Sequence, residues 1–130
     1  MSHWAESLIG MPWIAGQSDC WSFARQVWTR RMGWDVPAVP VDATDPRATR
    51  HALSAPPEAA GWQAVATPIE GDAVLMGRSA RPGHVGVWIT PDPDQPGVLH
   101  SVETSGVIFT ERARLAGLGW RILGFYRWAA

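Results

Sequence analysis

The sequence has little of what disulfide-bonded, nucleic-acid-binding or membrane-spanning proteins need. Only one of its 130 residues is a cysteine, which excludes a disulfide within the chain. It has no lysine, and its 11 arginines against 12 acidic residues leave a formal net charge of −1. No basic cluster suits a nucleic-acid backbone, so we expect no nucleic-acid partner. No stretch approaches the ~20 apolar residues of a membrane span, and no basic-then-apolar start indicates a signal peptide. We therefore expect synthesis and folding in the cytoplasm.

The composition favours one compact domain over residues 1–130. Hydrophobic residues make up 46% and charged residues 18%, and a chain of this length buries roughly two thirds of its unfolded surface. The nine tryptophans suit two roles. They fill the core of a small domain, or they form docking surfaces in a larger assembly, where tryptophan is enriched.

Helical patterns precede strand patterns along the chain. Helices are predicted over 3–9, from Asp19 or Cys20 to Met32, over 47–53 after a cap at Asp45, and as a short turn over 110–115. A Pro/Ala-rich insertion occupies about 34–60. Short β-rich runs follow, at 62–66, 72–76, 84–89, 98–103, 107–109 and 121–128. This order predicts an α+β domain in which N-terminal helices pack on a mainly antiparallel sheet.

Cys20 stands where a helix is predicted to begin. Free N–H groups and the helix dipole favour an anion there, so we expect a stabilised thiolate, the nucleophilic form of cysteine. The same N–H groups suit a developing oxyanion. A buried cysteine packing as a small hydrophobic residue is the alternative.

His84 and His100 lie in strand patterns joined by a turn-forming loop, 90–96. We expect these strands to pair as a hairpin, which brings the two imidazoles together if their register matches. A thiol, a base and a third group that orients the base form a catalytic triad. The other histidines, His3 and His51, are interpreted as ordinary surface or core residues.

Metal and paired-carboxylate chemistry find little support. Structural zinc needs four ligands, usually in closely spaced pairs, whereas this chain has one cysteine and scattered histidines. Glu70, Asp72 and Glu103 show no spacing typical of a glycosidase pair. We therefore expect neither a metal nor another cofactor.

Several segments together resemble the NlpC-type cell-wall peptidases, which are papain-like cysteine enzymes. They are Pro12–Gly16 (a Pro-aromatic turn), Asp19–Ala24 (the nucleophile segment), Gly71–Met76 with His84–Val87 (the Gly-Asp strand and base strand), and Val98–His100 with Gly106–Ile108 (the strands of the third residue). The resemblance covers residues 9–128 apart from the insertion. Trp13 and Trp21 stand where the family often has Tyr and Ser.

The resemblance implies a papain-like NlpC-type fold and hydrolysis of peptide bonds in peptidoglycan stem peptides. It makes Cys20 the nucleophile, His84 the base and His100 the residue that orients the base. The Asp-Cys-Trp variant resembles the members found in phage tails. It implies other tail-tip proteins as partners, synthesis in the host cytoplasm, and a place in the virion tail acting on the cell envelope. A catalytically silent structural tail-tip protein and a peptidoglycan amidase with the same triad remain alternatives.

Overall fold

A computed structural model of the chain describes residues 3–38 and 42–129. Its centre is one antiparallel sheet with the strand order β1-β6-β2-β3-β4-β5. The strands are β1 (Trp62–Val65), β2 (Ala73–Gly77), β3 (His84–Ile89), β4 (Gly97–Val102), β5 (Gly106–Glu111) and β6 (Arg121–Trp128). The predicted α+β class and all the predicted strands are confirmed, and β3 and β4 pair as expected.

Within the described residues, three α-helices accompany the sheet: α1 (Cys20–Val27), α2 (Pro46–Leu53) and α3 (Arg112–Leu115). The chain beyond α1 continues as a π-helical turn, Trp28–Met32, and ends at Gly33 with a φ of 69°, a conformation that glycine adopts without strain. Two predictions were wrong in detail. The first helix is a short 3-10 segment, Trp4–Leu8, and residues 110 and 111 extend β5 instead of beginning the next helix.

The two faces of the sheet bury separate apolar clusters, because side chains alternate along each strand. One cluster joins α1 to residues such as Val85, Val87 and Leu99. The other joins Leu115 to Met76, Trp88 and neighbouring residues. Six tryptophans pack in the first cluster and two in the second. Core packing therefore accounts for most of this abundant residue type.

A partly buried ion pair links the C-terminal strand β6 to the residue that precedes β2. The Asp72 carboxylate is fully buried and accepts hydrogen bonds from Nε and Nη2 of Arg127 at 2.8 and 2.7 Å. It also accepts one from the backbone N–H of Ile69. Such a bidentate pair is strong in this geometry. The Asp72 of the predicted Gly-Asp strand therefore has a structural role.

The predicted insertion at about 34–60 includes residues 39–41, which lie outside the described residues. Asp45 caps α2, as predicted, by accepting from the N–H groups of Arg47 and Ala48. The helix packs near β3. No helix in the described ranges, 3–38 and 42–129, is long and apolar enough to cross a membrane.

Candidate active site

A cleft of about 440 Å³ opens at the end of the sheet where β3 begins. Cys20 and His84 both line it, together with parts of α2, the β2–β3 turn and Trp120. Its volume falls in the range of small-molecule and cofactor sites. The cleft therefore joins the predicted nucleophile and the predicted base.

The N-terminus of α1 is built around Asp19. One carboxylate oxygen accepts from the N–H of Ser22 at 2.9 Å, and the other accepts from the N–H of Gly16 at 2.6 Å. The cap thereby uses the Ser22 donor and leaves the N–H groups of Cys20 and Trp21 outside the helical hydrogen-bond pattern. These two donors are the ones a developing oxyanion beside Cys20 would meet.

The loop before α1 is held by two serines. Ser18 Oγ donates to the carbonyl of Pro12 and accepts from the N–H of Ile14. Ser101 Oγ of β4 donates to the carbonyl of Ser18 at 2.5 Å. Trp13, in the same loop, is half-buried and lines the cleft. A hydrogen bond thus connects the loop before Cys20 directly to the strand that carries His100.

The thiol of Cys20 is not the stabilised thiolate expected from its helix position. Burial raises the pKa of Cys20 to about 11, and the nearby Asp19 carboxylate raises it as well. Backbone N–H groups of Val85, Trp21 and Cys20 itself act in the opposite direction but do not compensate. The helix terminus favours the anion as predicted, but desolvation is the larger effect here. At neutral pH the substrate-free protein holds a thiol.

The two predicted histidines form a direct pair. Nε2 of His84 lies 2.8 Å from Nδ1 of His100, and the rings meet edge to face at 5.0 Å. His84 is 6% and His100 0% exposed. The contact occupies Nε2 and leaves Nδ1 of His84 as the ring nitrogen available for a proton from the cleft.

Both imidazoles are neutral at neutral pH. Burial, followed by the charges of His100 and Arg78, lowers the pKa of His84 well below its usual value. Burial alone lowers the pKa of His100 to about 4. A neutral His84 can accept a proton from a thiol, which is what a general base requires.

Thr110 extends the pair into a chain of three groups. Its Oγ1 lies 3.0 Å from Nε2 of His100, and the residue is buried. If the hydroxyl accepts from Nε2–H, then Nδ1 of His100 accepts from Nε2–H of His84. That tautomer leaves Nδ1 of His84 free of a proton. Thr110 was missed in the sequence because its segment was assigned to a helix.

Trp120 was also missed. Its ring stacks on His84 at 4.5 Å with an interplanar angle of 20°, and it meets His100 edge to face at 6.2 Å. The guanidinium of Arg78 lies over the Trp120 ring, 4.0 Å from its centre. Trp120 therefore fixes the plane of the His84 ring and covers one of its faces. A tryptophan after a short helix carries no sequence signal for this role.

Gly86 makes room for His100 between the strands. A Cβ at Gly86 would lie 2.3 Å from Cγ1 of Val98 and 3.0 Å from Cβ of His100. Atoms cannot approach so closely without displacing a neighbour. The small residue two positions after His84 therefore lets β4 present His100 at hydrogen-bonding distance.

The remaining candidate residues lie away from this pair. His3 Nε2 contacts Glu70 at 2.5 Å, and His51 is exposed on α2. Glu103 lines the cleft but is exposed. Within the described parts of the chain, no group of three or more His, Cys, Asp or Glu residues is placed to hold a metal ion.

Comparison with known proteins identifies a shared fold. No family model matches the chain, and no curated protein is significantly similar to it. Among solved structures, the chain is similar to the crystal structure of Ly7917 with the hydrolysing product of MDP, at a TM-score of 0.53 and 18% identity. The match covers 97% of this chain and 60% of that one. At this identity, what the two proteins share is their α+β fold.

Proposed function

We propose that this chain is a cysteine hydrolase with a papain-like NlpC-type fold that cleaves peptide bonds in peptidoglycan stem peptides. The observation that carries the proposal is the series of contacts from Thr110 to His100 to His84, which ends in the cleft lined by Cys20. A nucleophile, a base and a group that orients the base are the parts this chemistry needs.

In the first half of the reaction, Sγ of Cys20 attacks the amide carbon of the substrate while Nδ1 of His84 takes the thiol proton. The proton moves as the C–S bond forms, because the resting pair is neutral. The N–H groups of Cys20 and Trp21 at the start of α1 stabilise the oxyanion. His84 then gives the proton to the leaving amine as the C–N bond breaks, which leaves a thioester on Cys20.

In the second half, His84 takes a proton from water while the water oxygen attacks the thioester. The C–S bond breaks, the carboxylic acid product leaves, and the proton returns to Cys20. Throughout the cycle His100 accepts from Nε2–H of His84, so its hydrogen bond strengthens whenever His84 carries a positive charge. Stacking on Trp120 keeps the ring in plane for both transfers.

Two independent observations support peptidoglycan as the substrate. Ly7917, which shares the fold, was crystallised with the hydrolysing product of MDP, a peptidoglycan-derived ligand. The motif segments around Cys20, His84 and His100 separately resemble those of the NlpC-type peptidases.

Mass spectrometry of muropeptides after incubation with the purified protein tests the proposal. We expect cleaved stem peptides from the wild type and none from Cys20→Ala, with Thr104→Ala, another cleft-lining substitution, as the matched control. Release of intact stem peptides from the sugar would indicate an amidase. The absence of any product from a folded protein would favour a silent structural protein and contradict the proposal.

We further propose that the protein is a phage tail-tip component, made in the host cytoplasm and acting in the cell envelope. The resemblance of the Asp19-Cys20-Trp21 segment to phage-tail members supports this. Proteomics of purified particles should detect the protein, and its interface with tail partners should exceed about 1,000 Å². Its absence from particles, combined with a monomeric state in solution, would contradict the tail role.

A further inference from the structure

Three arginines line the candidate cleft. Arg78 and Arg81 lie in the β2–β3 turn, and Arg50 lies on α2. All three are exposed at the cleft mouth. The insertion and the sheet thus contribute positive charge to the same opening, beside His84.

The guanidinium of Arg78 is held in place on two sides. Nη1 donates to the carbonyl of Leu118 at 2.9 Å, and the group lies 4.0 Å from the centre of the Trp120 ring. A guanidinium has five N–H donors, so most of those on Arg78 remain for another acceptor. Its position is preorganised because a single conformation satisfies both contacts.

The neighbouring arginines flank the same turn. The stem of Arg50 lies close to Gly83, since its Cγ would be at an ordinary van der Waals distance, 3.4 Å, from a Cβ at that position. The backbone N–H of Arg81 donates to Oγ of Ser79 within the β2–β3 turn. Both arginines therefore lie near the start of β3, where His84 is located.

Within the described residues, the cleft lining has three arginines against two carboxylates, so its net charge is positive. Within residues 3–38 and 42–129, neither ion pair that the structure contains involves them. Of the carboxylates that line the cleft, Asp19 uses its oxygens to cap α1. Glu103 lies in the turn between β4 and β5 and is exposed. The opening therefore favours an anionic ligand.

We propose that Arg78, flanked by Arg81 and Arg50, forms a subsite that binds a free carboxylate of the substrate next to the scissile bond. This inference rests on the proposed hydrolase function and specifies its substrate class: peptides with a free carboxylate near the cleaved amide. The planar guanidinium matches a carboxylate in a two-point contact. Replacing that carboxylate by a carboxamide removes the charge and one acceptor, so amidated peptides are discriminated against.

Pairs of synthetic stem peptides test the subsite, with each carboxyl group supplied in turn as the carboxylate or as its carboxamide. For the pair that differs at the carboxyl group bound by Arg78, we expect the wild type to cleave the carboxylate peptide with a kcat/KM at least about ten times that for the carboxamide peptide. A charge-assisted hydrogen bond at a partly exposed site is strong enough for this difference. Arg78→Gln should bring this ratio close to one. Arg114→Gln, on the exposed surface of α3, is the matched control and should keep the ratio. The ratio cancels any common effect of Arg78 on Trp120 and His84.

Calorimetric binding to the Cys20→Ala protein separates this proposal from the proposed function. The subsite is supported if the carboxylate peptide binds, if added salt weakens this binding, and if Cys20→Ala/Arg78→Gln loses it. This conclusion holds even if the wild type cleaves neither peptide. In that case only the hydrolase function fails. Equal cleavage of both members of every pair would overturn the subsite and leave the hydrolase function standing. An unchanged preference in a folded Arg78→Gln variant would overturn it as well.

Discussion

The burial of two neutral histidines makes the fold sensitive to acid. The pKa of His100 is about 4 in the folded protein and about 6.5 in an unfolded chain. The unfolded state therefore binds protons more tightly. The stability linked to His100 is fully present above about pH 6.5 and is lost as the pH falls towards 4. His84, whose pKa is lowered well below its usual value, acts in the same direction.

The size of the effect follows from the shift of His100. Between pH 7 and pH 5, a group with these two pKa values lowers the free energy of unfolding by about 2 kcal/mol, and by about 3 kcal/mol at pH 4. Each histidine contributes a slope of up to about 1.4 kcal/mol per pH unit. Because His84 titrates as well, the wild-type slope near pH 5.5 should exceed that of a single group.

Urea unfolding followed by tryptophan fluorescence at pH 7, 6 and 5 measures this directly. The range stays above the usual pKa of carboxylates, about 4, so the histidines dominate. His100→Asn should lose the contribution of His100 and show a shallower slope. A stability that is flat between pH 7 and pH 5, or a slope that His100→Asn leaves unchanged, would refute the argument from buried neutral imidazoles.

The other predictions concern turnover and reactivity. Cys20→Ala should abolish muropeptide cleavage, and His84→Ala should nearly do so. His100→Asn should lower activity less than His100→Ala, because an amide can still form a hydrogen bond to His84. Full activity of His100→Ala would contradict its orienting role. Thr110→Val leaves the buried N–H of His100 without an acceptor, which costs about 1–3 kcal/mol, and should lower kcat about tenfold. Thr110→Ser keeps the hydroxyl and should keep kcat near that of the wild type. Equal kcat in the two variants would exclude a role for the hydroxyl. Trp120→Ala should expose His84 and raise its pKa in NMR titration, with Trp120→Phe in between; an unchanged pKa would contradict the shielding. The rate of Cys20 alkylation by iodoacetamide should still be rising with pH at pH 9, because the pKa of the thiol is about 11. A rate that levels off below pH 7 would instead indicate a thiolate–imidazolium pair.

The strands and the start of α1 could be predicted from the sequence because their signals are local. Short β-rich runs bounded by turn-forming residues mark β3 and β4, and Asp19 before Cys20 marks a cap. The pairing of His84 with His100 followed from the turn-rich loop between the strands. Its register could not be predicted, since a shift by one residue reverses every side chain.

The parts of the site that could not be predicted depend on contacts distant in sequence. Thr110 reaches His100 from the neighbouring strand β5, and Trp120 reaches His84 from a segment 36 positions further along the chain. The charge state of Cys20 depends on desolvation, which no local pattern reports. The start of α1 was identified correctly. Its effect on the pKa of Cys20 was overestimated, because the sequence does not show that the thiol is buried.

The insertion helix α2 contributes to the cleft but carries none of the residues proposed for catalysis. Its residues Pro46, Thr49 and Arg50 line the cleft, while the proposed nucleophile, the proposed base and the residues proposed to orient it belong to α1 and the sheet. Substitutions in α2 can therefore change which peptides enter without disturbing Cys20, His84 or His100. Exchanging this helix between related domains would be a direct way to change which peptides the proposed hydrolase accepts, with the residues proposed for proton transfer left unchanged.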